Sequence, residues 1–599
     1  MLSELVLSPG CPLCRLVFRI LPREGLVPDD DTLMIVPFRS HIRQAWWAVA
    51  EDGFKERSAV MLGVDYAGSA MSLGRGVLGM AAEMSPEMEG EAICIEDGGV
   101  ERKSLGNGRF VGRMVDWEMV KMALEGRING HGRECLVEKE EQIKYARMID
   151  VEERKVVPCA VGCEYFALSY VWGGVMPEEG ALRKGTLPRT IEDAIETTRK
   201  MGRRYLWVDA LCIDQRPNPT PEQRAEKERQ LRIMDMIYSS ATLTLVAVAG
   251  KDSKAGLPGV NSARPRTIQV RETIGGRTFF TVPPTSTQER NSSLWSTRAW
   301  TLQEELLSRR YLFFSDTHVE FIYGSSRVPE SLDTKTLSDW GSLVPDSLNQ
   351  LFLRRDEKTL SDVDDGDRGL SMNLFWGIII NYTSRRMTND GDSLNAILGL
   401  LSVWERMALS SPCVWGLPLA DMPQMLGWMH HRSVSPRRRP SFPSWAWAGW
   451  DGEVTMNDMR RLGGDGGNRF HSLARDMTVR YVGIDDNELI VEGWQVTLEI
   501  RTEPFSDVLM TGTEEVMGNA LERNFLHPNT LASGRYECLV IERLEYQIFE
   551  GGSLYQRVFL MVLDKSSLIA QRRTLITLTT LPGRDFMCLG PAKRVLRLV

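Results

Sequence analysis

Tyr165-Phe-Ala-Leu-Ser-Tyr-Val171 is a nearly continuous apolar run, and its reading decides the fold. A run of that length and character suits a β-strand buried on both faces. The stretch Leu187-Pro-Arg-Thr190 then leads into a helix. Thr190 and Asp193 are spaced as a capping pair, Ile191, Ala194, Ile195 and Thr198 share one face, and Gly202 ends the period. Tyr205-Leu-Trp-Val208 reads as a second buried strand, ending at Asp209. Beyond the rigid turn Arg216-Pro-Asn-Pro-Thr-Pro221, residues 222–240 read as one helix, with Leu231, Met234, Ile237, Tyr238 and Ala241 at three- and four-residue spacing. Thr242-Leu-Thr-Leu-Val-Ala-Val248 is a third strand, residues 296–309 a third helix, and Tyr311-Leu-Phe-Phe314 a fourth strand. This alternation of strands and helices predicts an α/β fold: a central parallel sheet with helices on both faces.

Outward from that segment, composition breaks at 97–112, 251–293, 356–367, 435–443 and 463–468 divide the chain. The expected organisation is an N-terminal region, 1–155, of open fold, the α/β segment at 160–325, a mainly helical and loop region at 326–470, and a β-rich domain at 471–599. The last rests on Leu489-Ile-Val-Glu-Gly, Val496-Thr-Leu-Glu-Ile500, Tyr536-Glu-Cys-Leu-Val-Ile541 and Val558-Phe-Leu-Met-Val-Leu563, which are strand-like and separated by Gly and Asp. At about 150 residues per domain, 599 residues suit three or four such units.

Charge and composition exclude several classes. The formal net charge of −8 argues against nucleic acid as an obligatory partner, because a surface that tracks phosphates usually makes a chain basic. No stretch supplies the 18 or so apolar residues of a spanning helix; 375–382 and 394–404 are too short or carry charge. The N-terminus lacks a basic n-region and has Arg15 and Arg19 within its apolar stretch, so a cytoplasmic protein without a secretory signal is expected. Ten Cys are too sparse for a disulfide scaffold. The close pairs are Cys11-Pro-Leu-Cys14 and Cys159 with Cys163. A C-x-x-C suits zinc or a redox pair, but further ligands at zinc spacing are missing nearby, so no metal is expected. No H-E-x-x-H or G-x-S-x-G occurs. Gly74-Arg-Gly-Val-Leu-Gly79 has the dinucleotide spacing, with Glu96 downstream, yet Pro86 and Gly90 interrupt its helix. Arg437-Arg-Arg439, bracketed by prolines, reads as a solvated loop.

An open α/β sheet binds ligands outside the carboxyl ends of its strands, where strand order reverses. The residues placed there are Trp172, Gly173 and Gly174 after the first strand, with Tyr170 near its end, Asp209 and Asp214 after the second, and Trp300 and Glu304 on the third helix. Trp172 offers a stacking plate, the glycines allow close backbone approach, and carboxylates can steer a sugar or cation. Each has a bland role beside the functional one. Trp172, Trp300 and Tyr170 suit packing, Asp209 and Asp214 suit turns, and Glu304 suits pairing with Arg298, Arg309 or a helix end.

Four blocks in order resemble the heterokaryon incompatibility (HET) domain of filamentous fungi. They are Phe166-Ala-Leu-Ser-Tyr-Val-Trp-Gly173, Tyr205-Leu-Trp-Val-Asp-Ala-Leu-Cys-Ile-Asp-Gln215, Met236-Ile-Tyr-Ser-Ser-Ala-Thr-Leu-Thr-Leu-Val-Ala247 and Arg298-Ala-Trp-Thr-Leu-Gln-Glu304-Glu-Leu-Leu-Ser308. The N-terminal Cys-x-x-Cys, the block from Tyr382 to Gly399 and Pro443-Ser-Trp-Ala-Trp447 echo the same proteins. One departure is Phe321-Ile-Tyr-Gly324, where many members continue to a Cys. The resemblance implies self/non-self recognition after hyphal fusion, with cell death triggered by some members and a protein partner or self-assembly as the switch. The family has been likened to TIR domains, flavodoxin-like folds of which some hydrolyse NAD, so the resemblance implies that the central parallel sheet is flavodoxin-like. Trp300-x-x-x-Glu304 is placed as the Trp and catalytic Glu of those domains are.

By that likeness Glu304 is the candidate catalytic residue. Tyr170, Trp172, Gly173, Asp209 and Trp300 are the candidates for holding NAD, as substrate, with no further cofactor required. Expelling neutral nicotinamide needs no acid, so one carboxylate beside the developing ribosyl cation suffices chemically. The alternative is a non-catalytic interaction module that acts through partner-induced assembly.

Overall fold

The computed structural model describes residues 10–20, three strand segments between 33 and 95, residues 110–130, 143–331 apart from single positions, and, with loop omissions, 375–456 and 471–599. The Gly-rich 74–79 stretch with Glu96, and the acidic run at 356–367, lie outside the described residues. The chain forms two compact units, Met1–Ser296 with Glu304–Arg355, and Thr297–Gln303 with Asp356–Val599.

In the first unit, helix α1 (Pro12–Ile20) precedes strands β1 (Leu33–Arg39), β2 (Val60–Tyr66) and β3 (Gly90–Ile95). An eight-stranded sheet lies at the unit's centre. Its first strands are β4 (Arg147–Asp150), β5 (Lys155–Pro158) and β6 (Tyr165–Ser169), then β7 (Tyr205–Trp207) and β8 (Leu243–Ala247). Strands β9 (Arg271–Ile274) and β10 (Arg277–Thr281) pair with each other, and β10 pairs with β3 in a separate five-stranded sheet. The central sheet is completed by β11 (Arg310–Phe314), β12 (Val319–Tyr323) and β13 (Ser326–Pro329).

The central order is β13-β12-β11-β8-β6-β7-β4-β5. Its middle four strands, β11, β8, β6 and β7, pair in parallel, whereas β4 beside β7 and β12 beside β11 run the opposite way, and the outermost β5 and β13 pair antiparallel with those two. The expected parallel sheet is thus corrected to a mixed one. The edges are hairpins, such as Arg310–Phe314 with Val319–Tyr323, whose connections are too short for a helical crossover. Strands β6, β8 and β11 are buried along their whole length, as their unbroken apolar character requires.

The helices follow the periodicity but not every expected boundary. Helix α2 (Arg189–Lys200) begins after Pro188, which makes no side-chain cap. Thr190 and Asp193 do not form the expected capping pair. Thr190 accepts the Gly256 N–H at 2.9 Å and Asp193 the Leu257 N–H at 2.7 Å, so both fasten the loop after β8 onto the helix. Asp209 opens a single turn, α3 (Asp209–Cys212). The expected long helix is two, α4 (Pro221–Arg232) and α5 (Met234–Ser240), broken at Ile233; Thr220 and Gln223 supply the capping box. The last is α6 (Ala299–Leu307).

The second unit contains a closed β-structure. Strands β14 (His471–Asp476) and β15 (Arg480–Asp485) flank β16 (Glu488–Arg501), β17 (Gly534–Gln547), β18 (Leu554–Ser566), β19 (Ile569–Thr579) and β20 (Ala592–Leu598). The ring closes because β16 pairs with both β17 and β20, giving a barrel-like sheet. Alternate residues, including Val496, Leu498, Cys538, Val540, Val558, Leu560 and Val562, fill its core. The strand-like segments read from 489 onward fall within these strands.

In the same unit the Arg572 guanidinium is buried 3.6 Å from the Trp428 ring centroid and donates to the Leu426 and Trp428 carbonyls. His430 lies edge-on between Trp428 and Trp450. Burial first, then Arg572, pushes its imidazole down to about 4, against the weaker opposing pull of Asp451 and the Glu453 and Gly452 carbonyls. Above pH 6.5 the ring is neutral whether folded or unfolded. As pH falls from 6.5 toward 4 only the unfolded chain takes up the proton, so this contribution to stability is lost across that window. Acid titration followed by tryptophan fluorescence is expected to show that loss, and His430→Phe to flatten it.

Candidate functional site

The site grows from the carboxyl end of β6, the strand next to which the order reverses: counted along the chain, the parallel strands lie 2-1-3-4. Ser169, the last residue of β6, is 1% exposed and donates its hydroxyl to the Glu304 carboxylate. The Trp295 indole, wholly buried in a short 3-10 turn before α6, donates to the same Ser169 oxygen at 2.7 Å. Trp295 itself is fixed edge-on against Phe313 of β11. Ser308 donates to the Glu304 backbone carbonyl at 2.7 Å and lies 2.7 Å from the Thr244 hydroxyl. The relay from Trp295 through Ser169 to Glu304 therefore joins β6 to α6 through polar contacts.

Glu304 is 6% exposed. Its neighbour Glu305 points elsewhere and is paired with Arg290. Tyr238 on α5 connects Glu304 to the other strand ends. Its hydroxyl donates to the Leu168 carbonyl at 3.3 Å. Burial, then the carboxylates of Glu304 and Asp209, raise its phenol well above the ordinary range, with Tyr170 a further contributor. Tyr238 thus remains a protonated donor at neutral pH, close to Glu304, Asp209 and Tyr170.

Asp209, half-buried at the end of β7, accepts the Trp172 indole N–H at 2.8 Å and the Ala210 N–H at 2.7 Å. The Trp172 ring is therefore tied across the two strand ends, with part of its surface exposed. Gly173 has φ 63°, and a Cβ there would sit 2.2 Å from the Asp252 Cβ. The close approach that its missing side chain allows is made by the chain's own loop; Gly174, also at positive φ, faces open space. Asp214 pairs with Arg216, which holds its carboxyl at about 2, and Cys212 is a buried thiol pushed up to about 12 by burial.

The structure thus brings Glu304, Tyr170, Asp209 and Trp172 to adjoining strand ends. Trp300 is half-buried and belongs to the second unit, where residues 297–303 meet Arg385 and Arg386. Sequence reasoning did not assign Ser169, Trp295 and Tyr238 to the site. Ser169 had a signal, as a serine inside an otherwise apolar strand; Tyr238 was legible only as one residue of a packing face. Among the described residues, no group of three or more His, Cys, Asp or Glu is arranged to hold a metal ion.

Residues 165–304 match the family model described as Heterokaryon incompatibility protein (HET). The chain therefore carries a HET domain, whose matched stretch begins on β6 and ends at Glu304. Comparisons with curated proteins and with solved structures found no match.

Ser169→Ala leaves the Trp295 indole and the Glu304 carboxylate without the oxygen that joins them. The variant is expected to lose about 1–3 kcal/mol of unfolding free energy, the usual cost of orphaned buried polar groups, measured by denaturant unfolding.

Proposed function

We propose that the HET domain is a self/non-self recognition and cell-death effector in the cytoplasm, and that it cleaves NAD at the nicotinamide–ribose bond through Glu304. The reading rests on one observation: a nearly buried carboxylate is hydrogen-bonded in place by Ser169 at the sheet's switch point, and the half-exposed Trp172 and Asp209 are bonded to each other at the ends of the same neighbouring strands. The 2-1-3-4 order of the parallel strands supports the flavodoxin-like comparison, and with it the expectation of a ligand at that edge.

In the proposed reaction NAD and water give nicotinamide, ADP-ribose and a proton. Nicotinamide leaves as a neutral ring with the electron pair of the breaking bond, and positive charge develops on the ribose. Glu304 would stabilise that cation and hold the ribose hydroxyls, while the hydroxyls of Ser169 and Tyr238 keep the carboxylate oriented. Trp172 would wall the nicotinamide end.

The 6% exposure of Glu304 sets a condition: substrate reaches the carboxylate only when its cover moves, which association with a partner or a second copy would accomplish. The same exposure favours the second reading. A carboxylate satisfied by Ser169 and closed from solvent also suits a non-catalytic module that signals by assembly alone.

Glu304→Gln separates the two, because it removes charge with little change of volume. NAD turnover by concentrated or artificially oligomerised full-length protein is expected to fall by at least a hundredfold in the variant, as for loss of a main transition-state contact (~10²). The enzymatic reading fails if the parent protein leaves NAD intact when assembled while both forms kill cells equally.

A further inference from the structure

The Cys11-Pro-Leu-Cys14 pair plays no part in the HET site, yet its local structure is specific. Pro12 opens α1, where its missing N–H costs nothing, and Cys11 stands immediately before the helix. The Cys11 sulfur accepts the Cys14 backbone N–H at 3.4 Å, so a thiol occupies the capping position where Ser or Asp is usual. The two cysteines are one turn apart, and each side chain is half-buried. Helix α1 is held firmly: Arg15 forms two hydrogen bonds to Glu272 of β9, at 2.8 and 2.7 Å, and Leu16 is fully buried.

The two thiols differ in environment. Hydrogen bonds from Cys14, the backbone one first, lower Cys11 below the ordinary thiol value, and the Arg15 charge adds to this. Cys14 is raised, chiefly by its hydrogen bond with Cys11 and then by burial. A sulfur at a helix start, in the field of inward-pointing N–H groups, is the arrangement that favours thiolate; the neighbour one turn on is placed to bond to it.

We propose that Cys11 and Cys14 form a thiol–disulfide exchange pair acting on low-molecular-weight disulfides, with Cys11 as the attacking sulfur and Cys14 as the resolving one. The Cys11 thiolate attacks one sulfur of the external disulfide, forming a mixed disulfide and expelling the other half as a thiolate. That thiolate takes the Cys14 proton. The Cys14 sulfur then attacks Cys11, closing the Cys11–Cys14 bond and releasing the second half as a thiolate. The external disulfide gains two electrons, and the pair loses them. This role does not depend on any reaction at Glu304.

The test uses the full chain with oxidised glutathione as probe. Peptide mapping is expected to find the Cys11–Cys14 disulfide, and Cys14→Ser to accumulate glutathione on Cys11 instead. In the reduced native chain, iodoacetamide is expected to label Cys11 several-fold faster than the similarly half-exposed Cys163 at neutral pH, with a lower pH midpoint. The labelling measurement needs no variant to fold. The proposal is overturned if Cys11 labels no faster than Cys163, if glutathione yields neither the internal nor the mixed disulfide, or if the purified chain holds stoichiometric zinc that is lost in Cys11→Ser.

Discussion

A carboxylate at the end of a buried strand must be hydrogen-bonded there, because a desolvated charge or acid without a partner costs more than most packing contacts return. Glu304 meets that requirement through Ser169, and Ser169 meets its own through Trp295. Three consequences follow for the surrounding chain. Strand β6 must end in a hydroxyl rather than an aliphatic residue, the 3-10 turn before α6 must bring an indole to the same point, and α6 must turn Glu304 toward Ser169 and Glu305, equally buried, toward Arg290. The helical offset of roughly 100° between neighbours accomplishes the last, sending Glu305 to Arg290.

A second set of polar contacts holds the loops above those strand ends. The segment after β8 folds back so that Asp252 fills the space beside Gly173, the Ser253 N–H reaches the Trp172 carbonyl at 3.2 Å, and Gly256 and Leu257 hydrogen-bond to Thr190 and Asp193. Asp193 is 2% exposed, and burial raises its carboxyl despite those bonds and Arg189. The rim after β6 and β8 is therefore cross-braced, with Trp172 and Asp209 tied together at its edge.

What was legible in the sequence was the part governed by apolar patterning. The strands at 165, 205, 243 and 310 stand where their runs of Leu, Val, Phe and Trp predict, since a strand buried on both faces has no other composition available. The antiparallel edges were not legible, because the direction of a short flanking strand depends on its connection and not on its residues. Thr190 and Asp193 show a different limit. Their spacing matches a capping pair, but a loop more than sixty residues away competes for the same oxygens and wins them. For the site, the expectation that Glu304, Asp209 and Trp172 gather near the strand ends comes from strand-end logic, whereas Ser169 and Trp295 become relevant only once their mutual distance is known.

The burial of Glu304 also bears on the proposed reaction. A group 6% exposed presents almost nothing to a ligand in solution, and the Ser169 hydroxyl already occupies part of its lone-pair capacity. Any event that exposes the carboxylate must displace or bypass neighbours that stabilise it, so its cost is of the same kind as the stability those contacts supply. Assembly lowers that cost only if the partner's surface replaces the lost contacts. The relay that makes the fold stable at this point is thus also what would keep it quiet, and a partner that competes for Ser169 or Tyr238 would act on both properties at once.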